Sequence, residues 1–311
     1  VKVSVVIPCY NRSYIISKAI DSVLRQTYAK TEIIIVDDCS TDTTEQIISE
    51  YISKHSNIKY IKNKTNLGAA ESRNVGVASS NGELIAFLDS DDVWMDNKLE
   101  LQVKALTSQI DMIGIGRINI NENTGVEKNH IPGKEFYTYE EILKSDPIGS
   151  NSGPLIRKKA FERVGGYDAK LPARQDWDLW IRISENSRVK VVNDLGYKYY
   201  YGRDDQISSG IKKKLIGTLM IYEKYKNEFF KNKQAHAEIL NLLGEMYIRE
   251  NQRKKAIHYM FKSIKLTDNI SVLIKRIFKL LLTVIVGTYN TIRIRKLIQS
   301  SLKKETSYLD R

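Results

Sequence analysis

The chain places acidic side chains where apolar runs end. Asp37 and Asp38 close EIIIVDD, and Asp89, Asp91 and Asp92 close LIAFLDSDDVW. Carboxylates this close repel one another unless a cation or a donor-rich ligand compensates them. The second cluster can therefore be a solvated turn, a helix cap or a cation site. Another apolar run, VSVVIP, ends in Pro8, Tyr10, Asn11 and Arg12, which adds an aromatic ring, an amide and a cation to the set. Neither G-x-G-x-x-G nor G-x-x-x-x-G-K-[ST] occurs, so dinucleotide and Walker-type phosphate loops are not supported. No Cys/His group has zinc spacing.

The elements that must position these residues follow from hydrophobic periodicity. Apolar runs at 3–8, 32–38, 57–63 and 83–89 alternate with helical patterns near 12–26, 42–54 and 68–79. Strands apolar on both faces and separated by helices call for a parallel sheet covered on both sides. Right-handed crossovers make this an α/β half whose ligands bind outside the carboxyl ends of the strands. The acidic clusters fall at those ends. From 111 to 205 the pattern is less regular. DMIGIGRINI reads as a strand, and GPLIRKKAFERVGGYD as a strand, a short helix and a glycine turn. RQDWDLWIRISE reads as a helix beginning near Asp176, and VKVVNDLGYKYYYG as paired strands turning near Gly196.

Beyond 206 the pattern is helical throughout. Residues 237–270 fit one tetratricopeptide-like hairpin, with Leu243, Gly244, Tyr247, Ala256 and Ser263 on that spacing. One repeat cannot bury its own face, so it must pack on neighbouring helices or another subunit. LIKRIFKLLLTVIVGTYNTIRIRK carries an apolar run of roughly ten residues between cations, too short to span a bilayer. It can lie on a membrane surface, enter an oligomer interface, or close the helical domain.

Composition narrows the class. The chain has 311 residues, 42% hydrophobic and 28% charged, long enough for a large core and more than one domain. The net charge of +12 is uneven: residues 211–311 hold 22 Lys/Arg against 8 Asp/Glu, and the first 210 hold 27 against 29. A basic tail suits anionic lipid or an acidic partner, or is a solvated helix surface. No aromatic-interleaved basic motif appears, so nucleic acid is not an expected partner. Two cysteines, Cys9 and Cys39, are too few for a disulfide framework and suit a reducing, cytoplasmic compartment. The opening VKVSVVIPCY reads as a strand, not a signal peptide, and the absence of a starting Met suggests a piece of a longer protein.

VSVVIPCYNR, IIIVDDCSTD, NLGAAESRNVGVASSNGELIAFLDSDD and GGYDAKLPARQDWDLWIR, in that order, resemble the successive signatures of family-2 glycosyltransferases with the GT-A fold. The resemblance covers about residues 1–208. It implies a mixed, mainly parallel α/β sheet between helices, with 1–110 binding a nucleotide sugar and 111–208 the acceptor. Residues 209–311 form a separate basic all-α domain. It also implies inverting transfer from a nucleoside-diphosphate sugar, UDP-sugar favoured, to a hydroxyl of a glycan, glycoprotein or lipid-linked acceptor.

By the same resemblance Asp89-Ser90-Asp91 is the D-x-D element, with Asp91 and Asp89 holding Mn²⁺ or Mg²⁺ against the diphosphate. Pro8, Tyr10, Asn11 and Arg12 would frame the nucleoside, and Asp38 would accept the imide hydrogen of its base. Asn66 and Arg73 would approach the ribose, phosphates or sugar. Asp176 would be the general base, with Asp178 its rival and Trp177 and Trp180 either packing or touching the acceptor. Asp92 and Asp96 suit capping of the following helix.

Two departures stand out. Gln175 replaces the glutamate that usually precedes the base, and YYYGRDDQISS places Arg203 where many relatives carry a histidine. Arginine cannot ligate a metal but can clamp a diphosphate. The enzyme is expected in the cytoplasm, peripheral at the inner membrane face, with the tail serving oligomer or membrane contact. A rival class is a non-catalytic GT-A-fold scaffold subunit of a glycosylation complex. The joint presence of Asp38, Asp91 and Asp176 argues against it.

Overall fold

A computed structural model describes residues 1–202 and 210–285. The chain divides into two units. One comprises Val1–Ile142, Asp146–Leu171 and Gln175–Ser209, and the other Leu143–Ser145, Pro172–Arg174 and Gly210–Arg311.

The first unit begins with β1 (Val3–Cys9), α1 (Ile16–Leu24), β2 (Thr31–Asp37), α2 (Thr44–Lys54), β3 (Ile58–Lys62), α3 (Ala69–Ala78) and β4 (Leu84–Phe87). β1 pairs parallel with β2 and with β4, and β2 parallel with β3. Every residue of β1 and β4 is buried, as central strands covered on both faces require. α3 lies close on this sheet because Gly76 has no side chain: a Cβ there would stand 2.3 Å from Val6 Cγ1. The crossovers bring the carboxyl ends of β1, β2 and β4 to one rim.

The unit continues through β5 (Val93–Trp94), α4 (Lys98–Ala105), β6 (Met112–Asn121), β7 (Glu127–His130), β8 (Phe136–Tyr137) and α5 (Tyr139–Lys144). It ends with β9 (Leu155–Arg157), α6 (Lys158–Arg163), α7 (Gln175–Ser184) and β10 (Val189–Tyr201). The sheet order is β3-β2-β1-β4-β9-β6-β10-β5. Short β9 runs antiparallel to both β4 and β6, joining the parallel half to a parallel β6–β10 pair. This is a mixed, mainly parallel sheet between helices, as the resemblance implies.

Residues 189–202 correct one expectation. They form a single long strand rather than a pair, with register shifts between Val192 and Leu195 and between Leu195 and Tyr197. Gly196 marks that bulge: a Cβ there would stand 2.7 Å from the Ile115 side chain across the pair.

The second unit contains α8 (Ile211–Lys224), α9 (Lys226–Lys231), α10 (Lys233–Arg249) and α11 (Arg253–Lys265), followed by helical residues 270–285. Asn232 caps α10, its Oδ1 accepting from the Ala235 N–H at 3.0 Å. α10 and α11 form a hairpin that turns at Asn251, in the left-handed region at φ 56°. Leu243, Gly244, Tyr247, Ala256 and Ser263 are all buried in it. Gly244 allows the close approach, since a Cβ would meet Met260 Cγ at 2.5 Å. No described helix is long and apolar enough to cross a membrane.

Candidate active site

The rim begins where β2 ends. Asp37 is fully buried; its Oδ1 accepts from the Ser40 N–H and its Oδ2 from the Tyr60 hydroxyl, both at 2.8 Å. Both oxygens of Asp37 thus hold the turn. Asp38 holds the neighbouring loop. Its Oδ1 accepts from Asn63 Nδ2 and the Leu67 N–H, and its Oδ2 from the Gly68 N–H, each at 2.8 Å. Gly68 sits at φ +86°, a conformation that favours glycine, and directly precedes α3. One carboxylate therefore sets where α3 starts.

The loop after β1 is stitched to the one after β2. Asn11, in the left-handed region at φ 52°, gives its N–H to Ser40 Oγ and accepts the Thr41 N–H on Oδ1, both at 2.9 Å. The Arg12 N–H donates to Thr44 Oγ1 at 2.9 Å. Pro8 is buried within β1, whereas the Tyr10 ring remains 44% exposed beside these loops. Asn66 is exposed in the loop between β3 and α3, and among the described residues no hydrogen bond joins its side chain to the rest of the set.

Arg73 projects from α3 and is only 5% exposed. Its Nη2 pairs with Asp89 Oδ1, and its guanidinium carbon lies 5.4 Å from the centre of the Tyr167 ring. A buried arginine needs compensating charge. Asp89 supplies most of it, Asp176 adds a smaller, longer-range attraction, and neutral Tyr167 offers only its ring. Asp89 makes the contact, and Asp176 acts on the same cation only at longer range.

The 89–92 segment is a turn closed by the Asp92 N–H donating to the Asp89 carbonyl at 2.9 Å. Ser90 is buried and Asp91 half-buried. Asp92 corrects the capping expectation. It leads into β5, not a helix, and its carboxylate is 1% exposed beneath the turn. Its Oδ2 accepts from Ser152 Oγ at 2.5 Å and its Oδ1 from the Tyr200 N–H at 3.3 Å. Ser152 Oγ in turn accepts the Asp89 N–H at 3.1 Å. Burial, then the charges of Asp91 and Asp89, push the Asp92 carboxyl well above the usual carboxylate range. Asp96 does not cap α4 either: Asn97 holds that position, without a side-chain bond, and Asp96 lies 3.5 Å from exposed Arg25.

α7 presents Asp176 in its first turn, half-buried, with its Oδ1 accepting the Trp177 N–H at 2.8 Å. Its neighbours Trp177, Asp178 and Trp180 take the packing alternative in this structure. Asp178 is fully buried and accepts from Arg182 Nε at 2.9 Å and Nη2 at 2.7 Å. Trp177 and Trp180 are also buried, Trp177 Nε1 donating to the Ile142 carbonyl at 2.7 Å. None of the three offers a face to a substrate. Arg203 lies outside the described residues.

Sequence reasoning missed four contributors. Tyr60 steadies Asp37, Asn63 braces Asp38, Ser152 links Asp89 to Asp92, and Tyr167 covers Arg73. Asn63 closes the run NIKYIKN on the same rim, and that was its available signal. Ser152 carries no local signal, because the chain joins it to the turn only through the sheet.

Known proteins resemble this chain in sequence and in fold. The family model described as glycosyl transferase family 2 matches residues 4–165. UDP-Glc:alpha-D-GlcNAc-diphosphoundecaprenol beta-1,3-glucosyltransferase WfgD of Escherichia coli is 35% identical over 192 residues, 61% of this chain and 73% of that protein. An uncharacterized glycosyltransferase of Methanocaldococcus jannaschii is 33% identical over 241 residues, 74% of this chain and 82% of its own. In fold, the chain resembles S. aureus TarS 1-349 in complex with UDP-GlcNAc, with TM-score 0.67 and 20% identity over 97% of this chain and 92% of that one. It spans 50% of a longer TarS chain, with TM-score 0.60. A Pyrobaculum calidifontis mannosyltransferase in complex with GDP-Man and Mn²⁺ gives TM-score 0.63 at 16% identity, covering 97% of this chain and 86% of that one. The chain is a glycosyltransferase and belongs to glycosyl transferase family 2.

Proposed function

We propose that the chain is an inverting transferase, moving a sugar from a UDP-sugar to a hydroxyl of a lipid-linked or other glycan acceptor. Support comes from one buried cation: Arg73 pairs with Asp89 of the D-x-D turn and lies against the Tyr167 ring, while Asp176 of α7 adds a weaker, longer-range attraction to the same guanidinium. WfgD, whose name specifies a UDP-sugar and a lipid-linked acceptor, favours those two classes.

In this assignment Tyr10 stacks on the nucleobase above the Pro8–Arg12 loop, and Asp38 accepts its imide hydrogen beside the loop it already braces. Asn66 and Arg73 lie toward the ribose and phosphates. Asp91 and one oxygen of Asp89, with Ser90 between them, fit a hard divalent cation, Mn²⁺ or Mg²⁺, that takes one or two carboxylates plus phosphate oxygens. Among the described residues no three or more His, Cys, Asp or Glu converge on a metal position, and a cation shared with a diphosphate needs no such cage. Bound there, it would neutralise charge gained by the leaving diphosphate. The Trp177 N–H fixes the orientation of Asp176, whose carboxylate takes the acceptor's proton. The acceptor oxygen bonds to the anomeric carbon as the bond to the diphosphate breaks, which inverts that centre.

A transfer and hydrolysis screen over UDP- and dTDP-sugars with Mn²⁺, Mg²⁺ or EDTA tests the assignment. Asp176→Asn is expected to lower kcat about 10²–10⁴-fold with donor affinity unchanged. Full activity in that variant removes Asp176 as base, and full turnover in EDTA removes the metal.

A further inference from the structure

Residues 270–285 form a helix that turns two cations inward beside Leu280 and leaves an apolar stripe outside. Within the second unit its inward face carries Arg276, Lys279 and Thr283, all buried. Arg276 Nη2 pairs with Glu238 Oε2 at 2.7 Å, and Lys279 pairs with Glu245, both acids lying on α10. The outward face carries Ile270, Ile274, Ile277, Phe278, Leu281 and Ile285, which are 40 to 77% exposed. Their spacing, with steps of three and four, puts them on one stripe of an α-helix. A solvated helix places its stripe the other way, so this face is built to be covered.

The charge around it indicates what covers it. Residues 210–285 hold 16 Lys/Arg against 6 Asp/Glu. Four of those acids are already paired: Glu238 and Glu245 by the helix itself, Glu223 by Lys226 and Asp268 by Lys233. Lys275 is exposed on the helix that bears the stripe. A second copy would bring like charge against like charge, whereas an anionic lipid surface is complementary in both apolar and electrostatic respects. We infer that the helical unit docks this stripe into the interface of an anionic bilayer, lying along the surface without crossing it. The inference is independent of the catalytic assignment, since neither the stripe nor its cations belong to the site described above.

Flotation of the full chain with vesicles tests it, comparing equal parts phosphatidylglycerol and phosphatidylcholine with phosphatidylcholine alone. Binding is expected only to the anionic vesicles, and to weaken at least about tenfold in about 0.5 M salt, where charges are screened within a few ångströms. The variant Ile274→Glu/Phe278→Glu, altered only at exposed positions, is expected to keep the wild-type melting curve and lose at least about tenfold in vesicle binding. Absence of binding to anionic vesicles overturns the inference, as does undiminished binding by the variant. Light scattering that finds a wild-type dimer and a monomeric variant assigns the face to a second copy instead, and equally overturns it.

Discussion

Asp38→Asn tests the structural work of this carboxylate, on which its proposed contact with the nucleobase depends. The side chain is 4% exposed and accepts three hydrogen bonds, two on Oδ1 and one on Oδ2. Asparagine keeps one acceptor oxygen. Placing it at Oδ1 preserves the bonds from Asn63 and Leu67 and turns an NH₂ toward the Gly68 N–H. The opposite orientation loses two bonds and costs more. The lost Gly68 bond leaves a desolvated donor, worth about 1–3 kcal/mol, and each surviving bond drops from charge-assisted to neutral strength, about 1 kcal/mol apiece. The expected total is about 4 kcal/mol, a large fraction of the ~5–15 kcal/mol that holds a typical domain together. Because Gly68 precedes the helix that carries Arg73, UDP affinity should fall together with stability. Urea unfolding and calorimetric titration with UDP measure the two quantities. A variant within about 0.5 kcal/mol of wild type shows that the charge does not brace the loop, and refutes this reasoning.

Three other perturbations have defined outcomes. Arg73→Lys keeps the charge but loses the planar group over Tyr167, so the donor kcat/KM should fall about tenfold or more; an unchanged value removes Arg73 from the donor site. Burial alone would raise the Glu32 carboxyl, but bonds from Lys2, Ser4 and the Asn81 N–H override it and hold the group at about 2. Its contribution, about 1–2 kcal/mol with the half-exposed Lys2 partner screened by solvent, is complete above the ordinary value near 4.5 and fades as pH falls from there through 2. Melting temperatures at neutral and acid pH should therefore show a shallower acid loss in Glu32→Gln, and equal slopes count against the assignment. Gly76→Ala drives a methyl group toward Val6 and should cost about 1–3 kcal/mol in chemical denaturation, unless α3 can shift without penalty.

What could be read from the residues divides along physical lines. The strand–helix alternation of the first 110 residues was readable because central parallel strands are apolar throughout and their helices are amphipathic, both local properties. Asp37 and Asp38 stood out as a pair, but local pattern could not divide their labour. That division depends on which loop amides reach each carboxylate, and Gly68 arrives 30 residues later. Asp92 was misread for the same reason. An aspartate shortly before a helical pattern looks like a cap, and only the sheet brings Ser152 and the Tyr200 amide to it. In α7 the pair Asp176 and Asp178, two positions apart, had to face different ways. Which one points inward was decided by Arg182, four residues on.

The helix at 270–285 shows the limit of periodicity in its sharpest form. An apolar stripe tells which side chains share a face, and the usual inference turns that face inward because burial of apolar area stabilises the fold. Here the opposite face carries Arg276 and Lys279, and α10 offers Glu238 and Glu245 to meet them. Neither pair is visible as a helix-spaced neighbour, since each joins residues more than 30 positions apart. Once these cations are seated, returning them to water and turning the stripe inward would leave both glutamates without their partners. The glutamates are partly exposed, at 36% and 25%, so unpairing each costs more than the ~0–1 kcal/mol of a surface pair and less than the ~3–5 kcal/mol of a buried one, together comparable with the gain from burying one or two large apolar side chains. This orientation can therefore hold in the isolated chain and leave the stripe available to a lipid surface. It follows that charge reversal at Glu238 and Glu245 should weaken vesicle binding without touching a single residue of the stripe.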